Sequence, residues 1–269
     1  MAVAFIIGSP SPLQVVVGVL GACTVSWASY RLRFLTAGGA GVQWFIGVIV
    51  FGCGGWPATV PILAFFVVAS ALSKFADARR HPVQFNGKGS TRDALQVLAN
   101  GGIAAGLILL GLVVHDQRVY LAYVGALAAA SSDTIATEIG TLYGKRPRLI
   151  TTGQIVESGT SGAVTLPGLL GGLGGAGLLV ISALPWLGGA VKTSPVVPIF
   201  AGFCGGLVDS VLGCSLQARF VCHVCGKGTE SPIHCNAPTR HVRGLRSLTN
   251  DAVNIVCTAV GAASCVLLS

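Results

Sequence analysis

Apolar residues run along most of the chain in long continuous stretches, which short polar or basic segments separate. Runs of about 20 apolar residues are long enough to cross the roughly 30 Å hydrocarbon core of a bilayer as helices. A transmembrane β-barrel would need apolar and polar residues in alternation, and these runs do not alternate. The pattern predicts an all-α, polytopic transmembrane helix bundle of about 6–8 spans in one membrane domain, 1–269. The spans are predicted at roughly 12–30, 41–55, 57–73, 94–114, 119–143, 163–185, 196–218 and 250–268.

The fifth stretch is unusual because two acidic side chains, Asp133 and Glu138, lie in its segment LAAASSDTIATEIG. An ionisable group at the centre of a membrane span costs about 2.5–3.5 kcal/mol or more, so it is expected to have a function or a partner. Small residues share the helical face of Asp133, which would let a neighbouring helix or a ligand approach. Two interpretations stay open: a reactive carboxylate site, or a structural carboxylate bonded to a neighbouring helix.

Composition supports the membrane prediction. Hydrophobic residues make up 52% of the chain, charged residues make up 10%, and the mean hydropathy is +0.77. These values exclude an ordinary soluble domain of this length. No Lys or Arg precedes Arg31, so we expect neither a signal peptide nor a transit peptide, and we expect the first span to remain.

Lys and Arg are distributed unevenly among the loops: 15 of the 17 lie in loops 31–40, 74–93, 144–162 and 219–249. By the positive-inside rule these loops are cytosolic and both termini lie on the opposite side. The net charge of +8 is thus largely cytosolic. Such charge favours phosphate-bearing ligands or anionic lipid, or it only sets the topology.

Further polar side chains enter the spans from the same side, and glycine-rich loops precede two predicted spans there. Free N–H groups and the dipole at a helix start favour anions. The first of these loops does not match the Walker A pattern. The polar residues in the spans are Asn100, Asp209, Asn250, Asp251 and Asn254. The candidate phosphate or nucleotide ligands are the three asparagines among them together with Lys88, Arg92, Thr160 and Ser161 in the loops.

Three of the nine cysteines lie in one cytosolic loop, CHVCGKGTESPIHC. A reducing compartment disfavours disulfides there. Cys222, Cys225 and Cys235, with either His234 or His223, are a candidate structural zinc site, although His234 directly beside Cys235 is not the usual finger spacing. An ordinary reduced loop is the alternative. The other six cysteines lie in predicted spans and are expected to behave as small apolar residues.

Five ordered blocks, SSDTIATEIG, the basic loop leading into QVLANGG, ITTGQIVESGTSGAVT, LVDSVLGCSLQA and LTNDAVN, resemble the signature blocks of a known membrane family. That family contains transmembrane protein 19 and the plant phytyl-phosphate kinase. The resemblance runs from about Arg31 to the end of the chain and implies transfer of a phosphoryl group from a nucleoside triphosphate, CTP being favoured, to an isoprenoid monophosphate. By block it carries over Asn100, Asp133, Thr134, Glu138, Thr160, Asp209, Asn250, Asp251 and Asn254.

The sequence and the resemblance together predict a membrane lipid kinase whose substrate chain stays in the bilayer. We expect Asp133, Glu138, Asp209 and Asp251 to bind Mg²⁺, which prefers hard oxygen ligands, and the loops to bind phosphates. The expected partners are membrane lipid, an isoprenoid phosphate and a nucleoside triphosphate, with no nucleic acid. The endoplasmic reticulum is the favoured membrane and a plastid is the alternative. A transporter or flippase that uses the carboxylates for ion coupling is the alternative function.

Overall fold

The computed structural model describes residues 7–79, 91–188 and 194–269, and every helix in these ranges is long and apolar enough to span a membrane. The prediction of an all-α polytopic bundle is therefore confirmed. The helices are α1 (Pro12–Arg31), α2 (Ala37–Arg79), α3 (Ala94–Val114), α4 (Gln117–Tyr143), α5 (Leu166–Leu187), α6 (Val196–Ser215) and α7 (Asn250–Leu267). The strands are β1 (Arg148–Leu149), β2 (Ala163–Val164), β3 (Arg219–Val221), β4 (Gly228–Thr229), β5 (Ile233–His234), β6 (Ala237–Pro238) and β7 (Arg240–Arg243).

Helix α2 is interrupted at Gly55, where the second and third predicted spans meet. The backbone there has φ 60° and ψ −159°, a conformation that is essentially restricted to glycine. Residues before and after the break both contact Arg92. Before it, the Thr36 N–H donates to the Arg92 carbonyl at 3.0 Å, and after it, Ser70 Oγ accepts a hydrogen bond from the Arg92 guanidinium at 3.1 Å. The chain therefore turns back at Gly55, and α2 consists of two antiparallel arms that match the two predicted spans.

Helix α4 lies at the centre of the bundle. Its residues from Val119 to Ser132 are all buried, and it packs against α2, α3, α5, α6 and α7. Small residues make this packing close. A Cβ at Gly125 would lie 2.5 Å from the carbonyl oxygen of Gly261, so only glycine allows the backbones of α4 and α7 to approach this far.

The described parts of the loops that carry most of the Lys and Arg lie at one end of the bundle, which we call the basic end. There the Lys74 ammonium donates to the Leu32 carbonyl, and Ser161 Oγ donates to Gln217 Oε1 at 3.0 Å. The opposite end holds the turn of α2, where the Tyr120 hydroxyl donates to the Pro57 carbonyl at 2.8 Å. The assignment of the basic end to the cytosol stays a prediction.

Two of the basic loops contain strands. In the loop between α4 and α5, β1 pairs antiparallel with β2. Residues 216–249, which we call the basic lobe, form a three-stranded sheet in the order β4, β3, β7 and a separate two-stranded hairpin of β5 and β6. The lobe is attached to the ends of α6 and α7 because the Ala218 N–H donates to the Leu248 carbonyl and the Leu245 N–H to the Leu216 carbonyl, both at 2.9 Å.

Candidate functional site

Glycine residues bring α6 against α4 and so set the position of Asp209. A Cβ at Gly206 would lie 2.9 Å from Ser132 Oγ, closer than real Cβ atoms approach a neighbour. Asp209 follows one turn later on α6, and Asp133 follows Ser132 on α4. The side chains of Asp133 and Asp209 face each other and are close enough to share a proton. We call these two residues the carboxylate pair.

The carboxylate pair has an unusual hydrogen-bond state. Within the described part of the chain, Asp209 Oδ2 is buried and has no hydrogen-bond partner. Two carboxylates at hydrogen-bonding distance repel each other unless they share a proton or a cation. Oxygen donors of this kind suit Mg²⁺, and the buried Oδ2 has a coordination position to offer, so the pair fits such an ion.

Two further side chains interact electrostatically with the carboxylate pair: Glu230, in the basic lobe, interacts with Asp209, and Cys257, in α7, interacts with both carboxylates. Glu230 was not among the predicted site residues, because it lies in a loop with no pattern that relates it to a membrane span. Its interaction with Asp209 depends on the attachment of the basic lobe to the end of α6.

The predicted phosphate loop, Thr160 and Ser161, packs on the last turns of α6. Gly162 has φ 76°, and a Cβ there would overlap Cys214 and the Ser210 carbonyl. This contact places Thr160 and Ser161 close to the end of α6 that carries Asp209. We expected these residues to lead directly into a span, but α5 begins at Leu166, and Thr165 caps it by accepting a hydrogen bond from the Gly168 N–H at 3.1 Å.

Arg92 and Glu138 belong to a second polar group, on a different side of α4. Arg92 donates to Ser70 Oγ at 3.1 Å and to Ser73 Oγ at 3.3 Å, and Ser73 Oγ donates to Glu138 Oε1 at 2.7 Å. Burial lowers the pKa of the Arg92 guanidinium, and the negative charge of Glu138 opposes that shift. Successive helical residues are rotated by about 100°, which separates Glu138 from Asp133 by about 140° around α4.

The remaining polar residues predicted for the site lie on α3 and α7. Asn100 donates to the Gln96 carbonyl of its own helix at 3.0 Å. Helix α7 begins at Asn250, and Asp251 lies in its first turn, where the helix dipole favours an acidic residue. Asn254 is buried one turn before Cys257, on the side of α7 near the carboxylate pair. Lys88 lies outside the described residues.

The cysteine loop forms a second cluster in the basic lobe. Cys222, Cys225, His234 and Cys235 place their ligand atoms within 4.8 Å of one another. Among the described residues, this is the group of three or more His, Cys, Asp or Glu side chains that is close enough to hold a metal ion. The four carboxylates predicted to bind Mg²⁺, which are the carboxylate pair, Glu138 and Asp251, do not form a group of this kind among the described residues.

An apolar groove of about 580 Å³ runs along α4 on the side away from the carboxylate pair. It lies between the second arm of α2, α4 and α5. Helix α4 contributes Ile135, Ile139 and Tyr143, which are spaced by four residues and so share one face. Around α4, Glu138 is separated from Ile135 by only about 60°, whereas Asp133 is separated from it by about 160°.

Comparisons with known proteins agree with the five sequence blocks. The family model described as integral membrane protein DUF92 matches residues 20–262. Protein PGR of Arabidopsis thaliana is 30% identical over an alignment of 272 positions, which covers 90% of this chain and 92% of that protein. The uncharacterized membrane protein sll0875 of Synechocystis is 31% identical over 193 positions, covering 70% of this chain and 74% of that protein.

The chloroplastic protein VTE6 of Arabidopsis thaliana is 26% identical over 240 positions, covering 87% of this chain and 65% of that protein. No solved structure matches the chain. The family resemblance inferred from the five blocks is therefore confirmed, and the chain belongs to the integral membrane family DUF92.

Proposed function

We propose that this protein is a membrane lipid kinase that transfers a phosphoryl group from a nucleoside triphosphate to an isoprenoid monophosphate such as phytyl phosphate. CTP is the favoured donor. The observation that carries the proposal is the carboxylate pair, with its buried and unpartnered Asp209 oxygen at the basic end of the bundle. The membrane is proposed to be that of the endoplasmic reticulum, with a plastid membrane as the alternative.

Asp133 and Asp209 are the proposed ligands of Mg²⁺. When bound, this ion would neutralise charge on the phosphates during transfer. Asp251 lies on the adjacent α7 and is proposed as a further ligand. Glu138 faces Ser73 and Arg92 instead, so its predicted role as a ligand would require its side chain to leave that group.

The chain's own residues would bind and orient the phosphates. Thr160 and Ser161 lie beside the end of α6, and Arg92 and Lys88 belong to the loop before α3. No nucleophilic side chain is required, because an oxygen of the acceptor phosphate attacks the terminal phosphorus of the donor. The bond to the donor's leaving diphosphate breaks, and the products are a nucleoside diphosphate and an isoprenoid diphosphate.

The apolar groove supports an isoprenoid substrate because it is open to lipid and its walls are almost entirely apolar. A chain lying in this groove would bring its phosphate to the side of α4 that carries Glu138, which Ser73 links to Arg92. The carboxylate pair lies on another side of α4, where close packing against α6 leaves no room for a chain between the helices.

The test is an assay of the purified protein in detergent, without any membrane gradient. We expect it to convert phytyl phosphate to the diphosphate with CTP and Mg²⁺. A buried pair of carboxylates sharing a proton is also what a proton-coupled carrier would use, and a carrier would form no diphosphate. Absence of product with several isoprenoid phosphates and nucleotides would favour the carrier.

A substitution in the carboxylate pair tests the proposed site itself. Asp133→Asn keeps the volume and the hydrogen-bonding capacity but removes the charge that binds a divalent cation. We expect loss of turnover by 100-fold or more, on the order of removing a main electrostatic contact, with normal extraction from the membrane. The matched control is Asp116→Asn at the other end of α4, because Asn caps a helix as well as Asp does. Full turnover by Asp133→Asn would remove Asp133 from the site.

A further inference from the structure

The donor atoms in the basic lobe have the separations of a metal site. Cys225 Sγ lies 3.5 Å and Cys235 Sγ lies 3.3 Å from His234 Nδ1, and all four donors lie within 4.8 Å of one another. In a tetrahedral zinc site, Zn–S bonds of about 2.3 Å and Zn–N bonds of about 2.0–2.1 Å separate sulfur from nitrogen by about 3.5 Å. The observed distances agree with this geometry.

The first half of the cluster is built by a tight turn. The Gly226 N–H donates to the Cys222 carbonyl, and the Cys222 N–H donates to the Lys227 carbonyl, both at 2.9 Å. Gly226 has φ 71°, which glycine adopts without strain. This turn brings Cys222 and Cys225 to the same side.

The second half of the cluster is the loop of the hairpin between β5 and β6. Its two residues, Cys235 and Asn236, have φ 51° and φ 59°, as a type I′ turn requires. Asn is common in this conformation, but Cys has no such preference. A metal bond to Cys235 explains why a cysteine occupies this position. The turn also resolves the unusual spacing, because it directs the adjacent His234 and Cys235 toward one point.

The basic lobe has very little hydrophobic core of its own. Its buried residues are few, whereas Val224 and Ile233 are 60% and 65% exposed. Folded units of fewer than about 40 residues usually need a metal or disulfides in addition to their core. The buried residues of the lobe are Gln217, Ala218, Phe220, Cys222 and Thr229.

We propose that Cys222, Cys225, His234 and Cys235 bind a zinc ion that holds the basic lobe in its fold. Three thiolates and one imidazole are a ligand set that zinc prefers, and four protein ligands leave no open position for a substrate. The site is therefore structural.

Metal analysis tests the site without reference to the proposed kinase activity. Purified protein, kept reduced and dialysed, is expected to contain near-stoichiometric zinc. The double variant Cys222→Ser with Cys225→Ser is expected to lose it. The matched control is Cys23→Ser with Cys53→Ser, in α1 and α2, which should retain zinc. Wild-type protein that is reduced, folded and free of zinc would overturn the proposal, as would iron in place of zinc.

A second measurement covers the case in which the double variant does not fold. Wild-type protein is treated with a zinc chelator and then loaded with Co²⁺, and we expect the thiolate charge-transfer absorption of a tetrahedral cobalt site. In limited digestion with trypsin, removal of zinc by the chelator should accelerate cleavage after Lys227 and Arg240 in the lobe. Added zinc should restore the protection of these two sites. Unchanged protection after chelation, or a native disulfide between these cysteines, would contradict a structural zinc site.

Discussion

At the scale of single residues, the main feature is how few acidic groups the bundle contains and where they lie. The chain has nine Asp and Glu residues, and two of them, Asp133 and Asp209, meet between α4 and α6. Their meeting depends on glycine at Gly206, which removes the side chain that would keep the helices apart. The phosphate loop depends on Gly162 in the same way. At both positions, the absence of a side chain lets two backbone segments come close enough to form the candidate site.

The contact of Gly162 with α6 leads to a prediction about stability. Gly162→Ala places a Cβ against Cys214 and Ser210 in a left-handed conformation, whereas Gly153→Ala, in the same loop, meets a similar φ of 69° in open space. Left-handed conformation alone costs about 1–2 kcal/mol for a residue with a Cβ. We expect Gly153→Ala to lower stability by about that amount and Gly162→Ala to lower it by clearly more. Thermal unfolding in detergent measures both, and equal effects would show that loop and helix are not in contact.

At the scale of elements, α4 separates two polar groups and one apolar groove. Asp133 faces α6 and α7, Glu138 faces the second arm of α2, and Ile135 and Ile139 line the groove shared with α5. A helix with about 3.6 residues per turn presents residues that are close in sequence to different neighbours. The four carboxylates predicted to share Mg²⁺ are thus distributed over more than one face of the helix bundle.

The groove can be filled from α5 without disturbing the packing of α4. A Cβ at Gly174, which lines the groove, meets no atom within 4 Å, and the same is true of Gly177, which does not line it. If the isoprenoid chain lies in the groove, Gly174→Phe should raise KM for a long-chain isoprenoid phosphate by about tenfold, the effect of losing roughly 1.4 kcal/mol of apolar contact. A short-chain phosphate should be affected less.

Gly177→Phe serves as the matched control for the groove and should leave KM unchanged. Kinetic assays with two chain lengths give the comparison. Equal effects of the two substitutions would place the isoprenoid chain elsewhere in the bundle.

At the scale of the whole molecule, the charges of the loops and the path of the chain agree with each other. Contacts at the basic end join the loops around Leu32, Arg92, Ser161 and Gln217, and the turn of α2 lies at the opposite end. Because α2 turns back at Gly55, the helices in the described ranges cross the bundle an even number of times. Both termini are then expected on the side opposite to the basic loops.

This topology predicts the result of reporter insertion. A reporter after Lys227 should lie in the cytosol, because most Lys and Arg are in loops at that end. A reporter between Gly55 and Trp56, and reporters at both termini, should lie on the opposite side. A reporter at the α2 turn on the same side as the one at Lys227 would mean that α2 crosses the membrane only once.

Local properties of the sequence were sufficient to predict the spans and the family. The helices lie within a few residues of the predicted ranges. The bounds of a span depend on the length of its apolar run and on the capping residues beside it, and both are local features of the sequence. The segment after Gly55 was predicted either to join two short spans or to interrupt one broken span, and the structure has two antiparallel arms there. The resemblance of the five blocks was sufficient to predict the family. The acidic residues of α4 stood out because charge in a span is costly wherever its partner lies.

Only the tertiary structure determined which of these residues meet. Asp133 pairs with Asp209 rather than with Glu138, because the rotation of each helix is set by close packing against its neighbours, which no periodicity in one segment specifies. The charge of Glu230 acts on Asp209 because the basic lobe is attached to the end of α6. The choice of His234 over His223 in the cysteine cluster depends on the left-handed turn at Cys235. Each of these contacts either joins positions that are distant in sequence or depends on a backbone angle. The pattern of residue types along the chain specifies neither the distant partner nor the angle.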